Sequence, residues 1–449
     1  MTTSNDPDAP PNRPRSTSAP VKTAVAQRLQ AEAERLDARW QRPPATRQLH
    51  VPSGHLYLDG NSLGPYTAAA ADAVQRALTA WADWGVLGWS EPETGWHQYA
   101  ERIAGRLGRL VGAEPGEVVV GGTTTQQLHQ LVATYYRPTP NRRGILMEGG
   151  AFPTDVHAAT SQVVQAGLDP RAILRTVDPD ASGWISPDQI VDALTPDVAL
   201  AILPGVVYTT GQRLPLREIS AAARARDIPV IWDLSHSAGL VPHRLHDDAD
   251  LAVFCTYKYL NGGPGSPAAA FVHRRLHPID PALKGWWGSD KASQFAMAAQ
   301  WTGAADAGAL QLGTPSILAL AALDGSLSLF DTIPVASLLE RALALTDFLI
   351  KAADAALADY GVTVATPRDP TARAGHVALA HPDAPALSLA LRAERVIVDF
   401  RPPNLIRMAP APLYIDFADV AEAVVRTQEI LKHQRQVGYR ARAASAAVT

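Results

Sequence analysis

The chain reads as an α/β fold: a mostly parallel central sheet sandwiched by helices, with a smaller α+β domain built from the N- and C-terminal segments. Three observations predict this. Apolar strand-like runs alternate with helical periods across residues 110–272, the pattern of a parallel sheet covered on both faces. Two of these runs, in IPVIWDLSHSAG and DLAVFCTYKYLNGGPGS, lead into Asp233 and Lys258, at the carboxyl ends of strands, where open α/β sheets bind ligands. Beyond residue 273 the alternation stops, and long alanine- and leucine-rich helical stretches take over.

In chain order, residues 1–20 are polar and proline-rich and read as a disordered tail. Residues 21–40 carry apolar side chains at helical spacing, ended by Pro43-Pro44. LYLDGNSLGP, residues 56–65, is a short strand running into a turn, and 66–87 resumes as helix. A polar and aromatic loop with Trp89 and Trp96 precedes a helix over 99–111. Residues 117–120 form a strand followed by GGTTTQQLHQLV; glycines allow a sharp exit and threonines cap the helix that follows. The free N–H groups at that helix start suit a phosphate monoester, although an ordinary capped turn reads the same way when the motif stands alone. Strands at 144–147 and 198–208 follow, the first leading to EGGAFPTD and the second to TTGQRLPL, then a helix over 216–226. Residues 229–232 and the run LAVFC are wholly apolar, as strands buried on both faces are. Residues 273–314 are irregular, short strands fall at 376–379 and 396–400, and a last helix spans 416–433. The division expected is a small-domain segment over 21–65, a large domain over 66–315, and the rest of the small domain over 316–449.

Composition bounds the function. The formal net charge is −4, with 19% charged residues and no basic cluster beyond short pairs, so nothing asks for nucleic acid or an anionic membrane. Cys255 is the single cysteine, which removes structural disulfides and metal–thiolate sites and fits a reducing cytoplasm. No run of 18 apolar residues suggests a membrane span, and the N-terminus lacks the basic stub and apolar core of a signal peptide. His129 and His157 read as packed polar groups, and without clustered ligand spacing no metal is expected.

Asp233 and Lys258 suit one chemistry. Pyridoxal 5'-phosphate needs a lysine to hold it as a Schiff base and an acid to keep its ring nitrogen protonated. Taken singly, Asp233 could cap a following helix and Lys258 could be a surface lysine. An acid at one strand end and Tyr-Lys-Tyr before glycines at the next make the pairing more specific.

The stretches YLDGNSLG, TTTQQLHQL, PTPNRR, AFPTD, YTTGQ, WDLSHSAG, YKYLNGGPG, ALKGWWG, GTPSIL and IRMAPAPLY, in that order across nearly the full chain, resemble the kynureninase family of aspartate-aminotransferase-fold enzymes. The resemblance implies that Lys258 bonds the cofactor and shuttles protons while Asp233 pairs with its pyridinium. Thr124 and Thr125 would hold the phosphate, with Tyr257 reaching it or acting as an acid near the carbonyl. Phe152 would stack on the ring, with Asp155 and His236 as its polar neighbours. Trp286 and Thr314 would reach the phosphate from a partner subunit, implying a homodimer with shared sites. Arg407 would grip the substrate carboxylate, with Trp89 and Asn61 also at the substrate. The implied reaction is hydrolytic Cβ–Cγ cleavage of L-kynurenine, or a ring-substituted kynurenine, to anthranilate and L-alanine.

The sequence also departs from the family. Trp89 stands where animal members carry histidine, and Gly313-Thr314 replaces a Ser-Asn pair, which favours the unhydroxylated substrate. Ser289 replaces a histidine, and Val207 an asparagine beside the cofactor ring; valine cannot donate a hydrogen bond there. The alternatives are a class V aminotransferase, a desulfurase, a paralogue acting on a modified kynurenine, and an inactive scaffold. A desulfurase needs a mobile cysteine, and Cys255 falls within an apolar strand.

Overall fold

The computed structural model describes residues 24–91 and 95–443; the expected tail over residues 1–20 lies outside them. Its centre is a seven-stranded sheet: β1 (Val118–Val120), β2 (Gly144–Glu148), β3 (Leu174–Val177), β4 (Val198–Pro204), β5 (Val230–Asp233), β6 (Leu251–Phe254) and β7 (Ala269–Val272), in the order β1-β7-β6-β5-β4-β2-β3. Neighbours from β3 through β6 pair in parallel. β7 runs antiparallel to both β1 and β6.

Period-two alternation splits the strands between two cores. Val230, Trp232, Ala252 and Phe254 join Ile103, Leu107, Ile219 and Leu320 on one face. Ile231, Leu251 and Val253 join Leu128, Leu131 and Ala158 on the other. Every strand from β4 to β7 is apolar on both sides because helices cover both sides. Edge strand β3, sequence LRTV, escaped the sequence reading because only Val177 in it is buried, so it lacks the apolar run that marks its neighbours.

A third core joins Leu29, Ala33 and Leu58 to residues between 333 and 431. Here β8 (Thr363–Val364), β9 (Val377–Ala380), β10 (Asp399–Arg401) and β11 (Leu405–Met408) form an antiparallel sheet ordered β8-β9-β11-β10. Helices Ala24–Arg39 and Val335–Leu357 pack on Phe417–Lys432. Helix Ile317–Leu327 packs instead on Ala68–Trp84, with the core of the large sheet. Among the described residues no helix is long and apolar enough to cross a membrane.

Candidate active site

Three strand ends build the cleft. β5 finishes on Asp233 itself, registered against Pro204 of β4 and Val253 of β6. β6 stops at Phe254, and the following turn carries Tyr257 and Lys258. β2 finishes on Glu148, which leads to the helix Pro153–Gln165. Together they line a cleft with Thr124, Thr125, Phe152, Asp155, Tyr208 and His236.

The phosphate end is made by local chemistry. Gly122 turns the chain with φ +58, a conformation that a side chain would strain. Thr123 then caps helix Thr124–Tyr135: the Gln126 N–H donates to Thr123 Oγ1 at 3.2 Å, and the Thr123 N–H donates to Gln126 Oε1 at 2.7 Å. This box satisfies the Gln126 amide and leaves those of Thr124 and Thr125 for an anion. Thr124 Oγ1 is buried with no hydrogen-bond partner.

Lys258 Nζ lies 3.0 Å from His236 Nε2. Burial, reinforced by the positive charges of Lys258 and Arg407, holds the His236 imidazole well below its ordinary range. It is therefore neutral, with Nε2 accepting from the lysine and Nδ1 carrying the proton, buried and unpartnered. Asp233 is half-buried and accepts the Ser235 N–H at 2.8 Å through one oxygen. Burial pushes Asp155 well above the usual carboxylate range, helped by the charges of Asp233 and Glu148. Burial takes Glu148 up to about 7 against a hydrogen bond from the Gly150 N–H, and burial, with Cys255 and the Asp233 charge, raises the Tyr257 phenol, which stays protonated. Phe152 is 40% exposed, lines the cleft, and stands at right angles to the Tyr208 ring at 5.4 Å.

These features fit pyridoxal phosphate. An amine and a carboxylate face one cleft beside an exposed ring, a helix start offers free amides, and buried Thr124 Oγ1 and His236 Nδ1 lack partners that a ligand would supply.

Of the residues singled out from the sequence, Lys258, Asp233, Tyr257, Thr124, Thr125, Phe152, Asp155 and His236 come together here. The others do not. Trp286 is 43% exposed and Thr314 is exposed, lining a separate cavity with Gly121 and Gly122. Trp89 packs on Trp96 and Trp287 at 5.8 and 5.5 Å. Asn61 is fully buried with both amide atoms unpartnered, in a turn that braces the lysine loop: the Gly64 N–H donates to the Tyr257 carbonyl at 2.7 Å.

Arg407 differs most from expectation. It is 1% exposed because Asp399 takes both Nε, at 2.7 Å, and Nη2, while Nη1 donates to the Tyr208 carbonyl at 2.7 Å. A carboxylate of the chain itself occupies the fork expected to receive the substrate.

Sequence reasoning missed Glu148, Tyr208, Asp399 and Arg401. Glu148 obeys the same rule as Asp233, an acid closing an apolar strand, and was findable on that signal. Of the departing positions, Val207 is buried and Ser289 bridges Gly303. Glu117, His246 and His273 offer three ligand atoms within 4.8 Å of one another. Those atoms are already engaged, His246 Nδ1 with Glu117 Oε1 at 2.9 Å and His273 Nδ1 accepting the Arg275 N–H at 3.0 Å.

Residues 338–426 match the family model described as the kynureninase C-terminal domain. A kynureninase of Bacillus cereus is 38% identical over 388 residues, covering 86% of this chain and 91% of its own. One from Shouchella clausii is 37% identical over 404 residues, covering 90% of this chain and 94% of its own. Similar solved structures include a cystine C–S lyase in complex with cysteine persulfide, with TM-score 0.73, 18% identity and coverage of 84% and 98%. The apo cysteine desulfurase of Thermococcus onnurineus has TM-score 0.74, 14% identity and coverage of 88% and 99%. These two share the fold, whereas the 37–38% relatives match most of the sequence, and the chain belongs to the kynureninase family.

Proposed function

We propose that this enzyme cleaves the Cβ–Cγ bond of L-kynurenine hydrolytically, giving anthranilate and L-alanine. The observation that carries the reading is the meeting of Lys258 and Asp233 in one cleft beside Phe152, in a chain related along most of its length to kynureninases.

Pyridoxal phosphate supplies the electron sink for charge developing on the substrate's carbons. Lys258 would bond it, Asp233 would pair with its ring nitrogen, and Phe152 would cover its ring. Thr124, Thr125 and Tyr257 would hold its phosphate. Asp155, kept neutral by burial and neighbouring acids, would donate a hydrogen bond rather than add a second negative charge. Lys258 Nζ, once substrate displaces it, would move the proton at the α-carbon, and neutral His236 holds that amine in place. Tyr257, protonated at neutral pH, is the acid available near the carbonyl. The substrate's ring would be favoured unhydroxylated, on the strength of Trp89 and Thr314.

A homodimer with shared sites accounts for the remaining residues. Trp286 and Thr314 stand away from the Lys258 cleft of their own chain, and Trp286, Phe295 and Met297 are exposed. A large apolar surface of this kind suits a partner subunit. Buried, unpaired Cys255 suits a cytoplasmic setting.

The test is side-by-side incubation with L-kynurenine and 3-hydroxykynurenine, following anthranilate-type fluorescence and alanine release. Cleavage of the first in preference to the second is expected. Cofactor-loaded protein that cleaves neither would sink the proposal.

A further inference from the structure

The loop after β4, which lends Tyr208 to the cleft, is tied to the segment that enters β9. The Arg213 N–H donates to the Ala372 carbonyl at 2.9 Å, and the Ala374 N–H to the Gly211 carbonyl at 3.1 Å. Thr366 Oγ1 accepts the Ala378 N–H at 2.8 Å and donates to the Thr210 carbonyl at 2.5 Å. Two glycines permit so close an approach. Gly211 has φ +75, and a Cβ there would sit 2.6 Å from the His376 carbonyl oxygen; one at Gly375 would sit 2.1 Å from Leu240 Cδ2. The antiparallel sheet thereby carries His376 into contact with the turn after β5.

His376 is fully buried, and its ring stands 5.6 Å from that of His236 at a tilt of 58°. His236 is the residue that takes Lys258 Nζ at 3.0 Å through Nε2. Both His376 ring nitrogens and His236 Nδ1 are buried without a hydrogen-bond partner. Orphaned polar atoms gathered in one contact are uncommon and call for a reason. Burial, with the charge of Arg407, takes the His376 imidazole down to about 3, and burial likewise holds His236 neutral. Each ring therefore carries one proton and one bare nitrogen, so His376 offers the Nδ1–H of His236 an acceptor and does not repel it with a charge.

We propose that His376 is a positioning residue for the lysine: packed on His236, it restrains that ring so that Nε2 stays on Lys258 Nζ and the proton stays on Nδ1. Among the described residues His236 is the only hydrogen-bond partner of Lys258 Nζ, so a ring free to turn would leave the amine without one. A small displacement of a proton-transferring atom lowers the rate steeply. The role matters when the amine is free to move the substrate's α-proton. It rests on the lysine chemistry proposed above and not on which bond the reaction cleaves.

Exchange of the α-proton of L-alanine in D2O reads that step alone, because L-alanine has no Cβ–Cγ bond to cleave. In cofactor-loaded enzyme, followed by proton NMR, His376→Leu is expected to slow exchange about 10-fold or more while keeping the cofactor absorbance and, within about twofold, the L-alanine affinity. His376→Gln keeps a donor and an acceptor and should lose no more than about threefold. Leu379→Ala opens the core under the same sheet, controls for destabilisation, and should leave exchange within about twofold. A wild-type exchange rate in His376→Leu overturns the assignment, as does an equal slowing in Leu379→Ala. Should His376→Leu fail to load cofactor, nitrogen-15 spectra of the wild-type histidines decide. His236, assigned by its absence in His236→Gln, should carry its proton on Nδ1, and a proton on Nε2 refutes the role. Wild-type enzyme that exchanges the α-proton of L-alanine but leaves L-kynurenine intact would sink the proposed cleavage without touching His376, and absence of exchange in the wild type overturns both.

Discussion

Glu148 closes an apolar strand with its carboxyl buried, and the strength of that burial sets its proton affinity. In the cofactor-free protein its carboxyl titrates at about 7 rather than at the ordinary 4.5. Between those values the folded state keeps a proton that the unfolded state has released, so this group's contribution to stability falls as pH rises through that window. Asp59, taken up to about 7 by burial and the nearby Asp399 charge, acts in the same direction. Glu148→Gln should therefore raise the melting temperature of the apoprotein at pH 8 by about 2–4 °C and change it little at pH 4.5. Equal gains at both pH values would show that Glu148 is not the titrating group. Asp233→Asn should still bond pyridoxal phosphate at Lys258, visible as cofactor absorbance, yet lower kcat by about 100-fold or more. The chemical core of the cleft was legible because Asp233 and Lys258 each follow a strand that advertises itself by being wholly apolar. Asp399 was not, since its significance depends on a cross-strand register with Arg407 that no local pattern reports.

The helix Thr124–Tyr135 shows how one element serves two ends. Its capping box fixes the first turn and spares two amides for the phosphate, so Thr123→Ala should cost about 1 kcal/mol in urea unfolding and speed cofactor loss on gel filtration. Loss of stability with normal cofactor retention would separate the cap from the phosphate site. The 56–65 turn is the second such element. A Cβ at Gly64 would sit 2.4 Å from the Lys258 carbonyl oxygen and 2.3 Å from Asn261 Oδ1, closer than any relaxed contact allows. Gly64→Ala should thus push the lysine loop and cut kcat by about tenfold or more, and normal turnover would show that the loop has slack. Elements with strong periodicity were readable: the expected helix over 416–433 is Phe417–Lys432, and the strand ending at Asp233 differs by one residue. β3 and β11 were not, because LRTV and LIRM are short and mixed, and take strand form from their neighbours rather than from their own residues.

At the scale of the whole molecule, the residues left outside the Lys258 cleft test the proposed dimer. A Lys258→Ala subunit mixed with a Thr314→Arg subunit should regain activity, up to about a quarter of wild type, if one intact site forms per heterodimer. No recovery after confirmed subunit exchange would place each site within a single chain. One feature of the sheet bears on why the cofactor fits at all. β7 runs against the neighbours on either side of it, so β1 and β6 point the same way with one strand between them. Two inter-strand steps set the phosphate-gripping helix and the lysine turn roughly 10 Å apart at a common rim. The reversed strand serves as a ruler: it measures out the gap between the two ends of a rigid, flat molecule, and because it starts at that rim and leaves at the opposite one, the only connection it places beside the guest is the lysine turn itself.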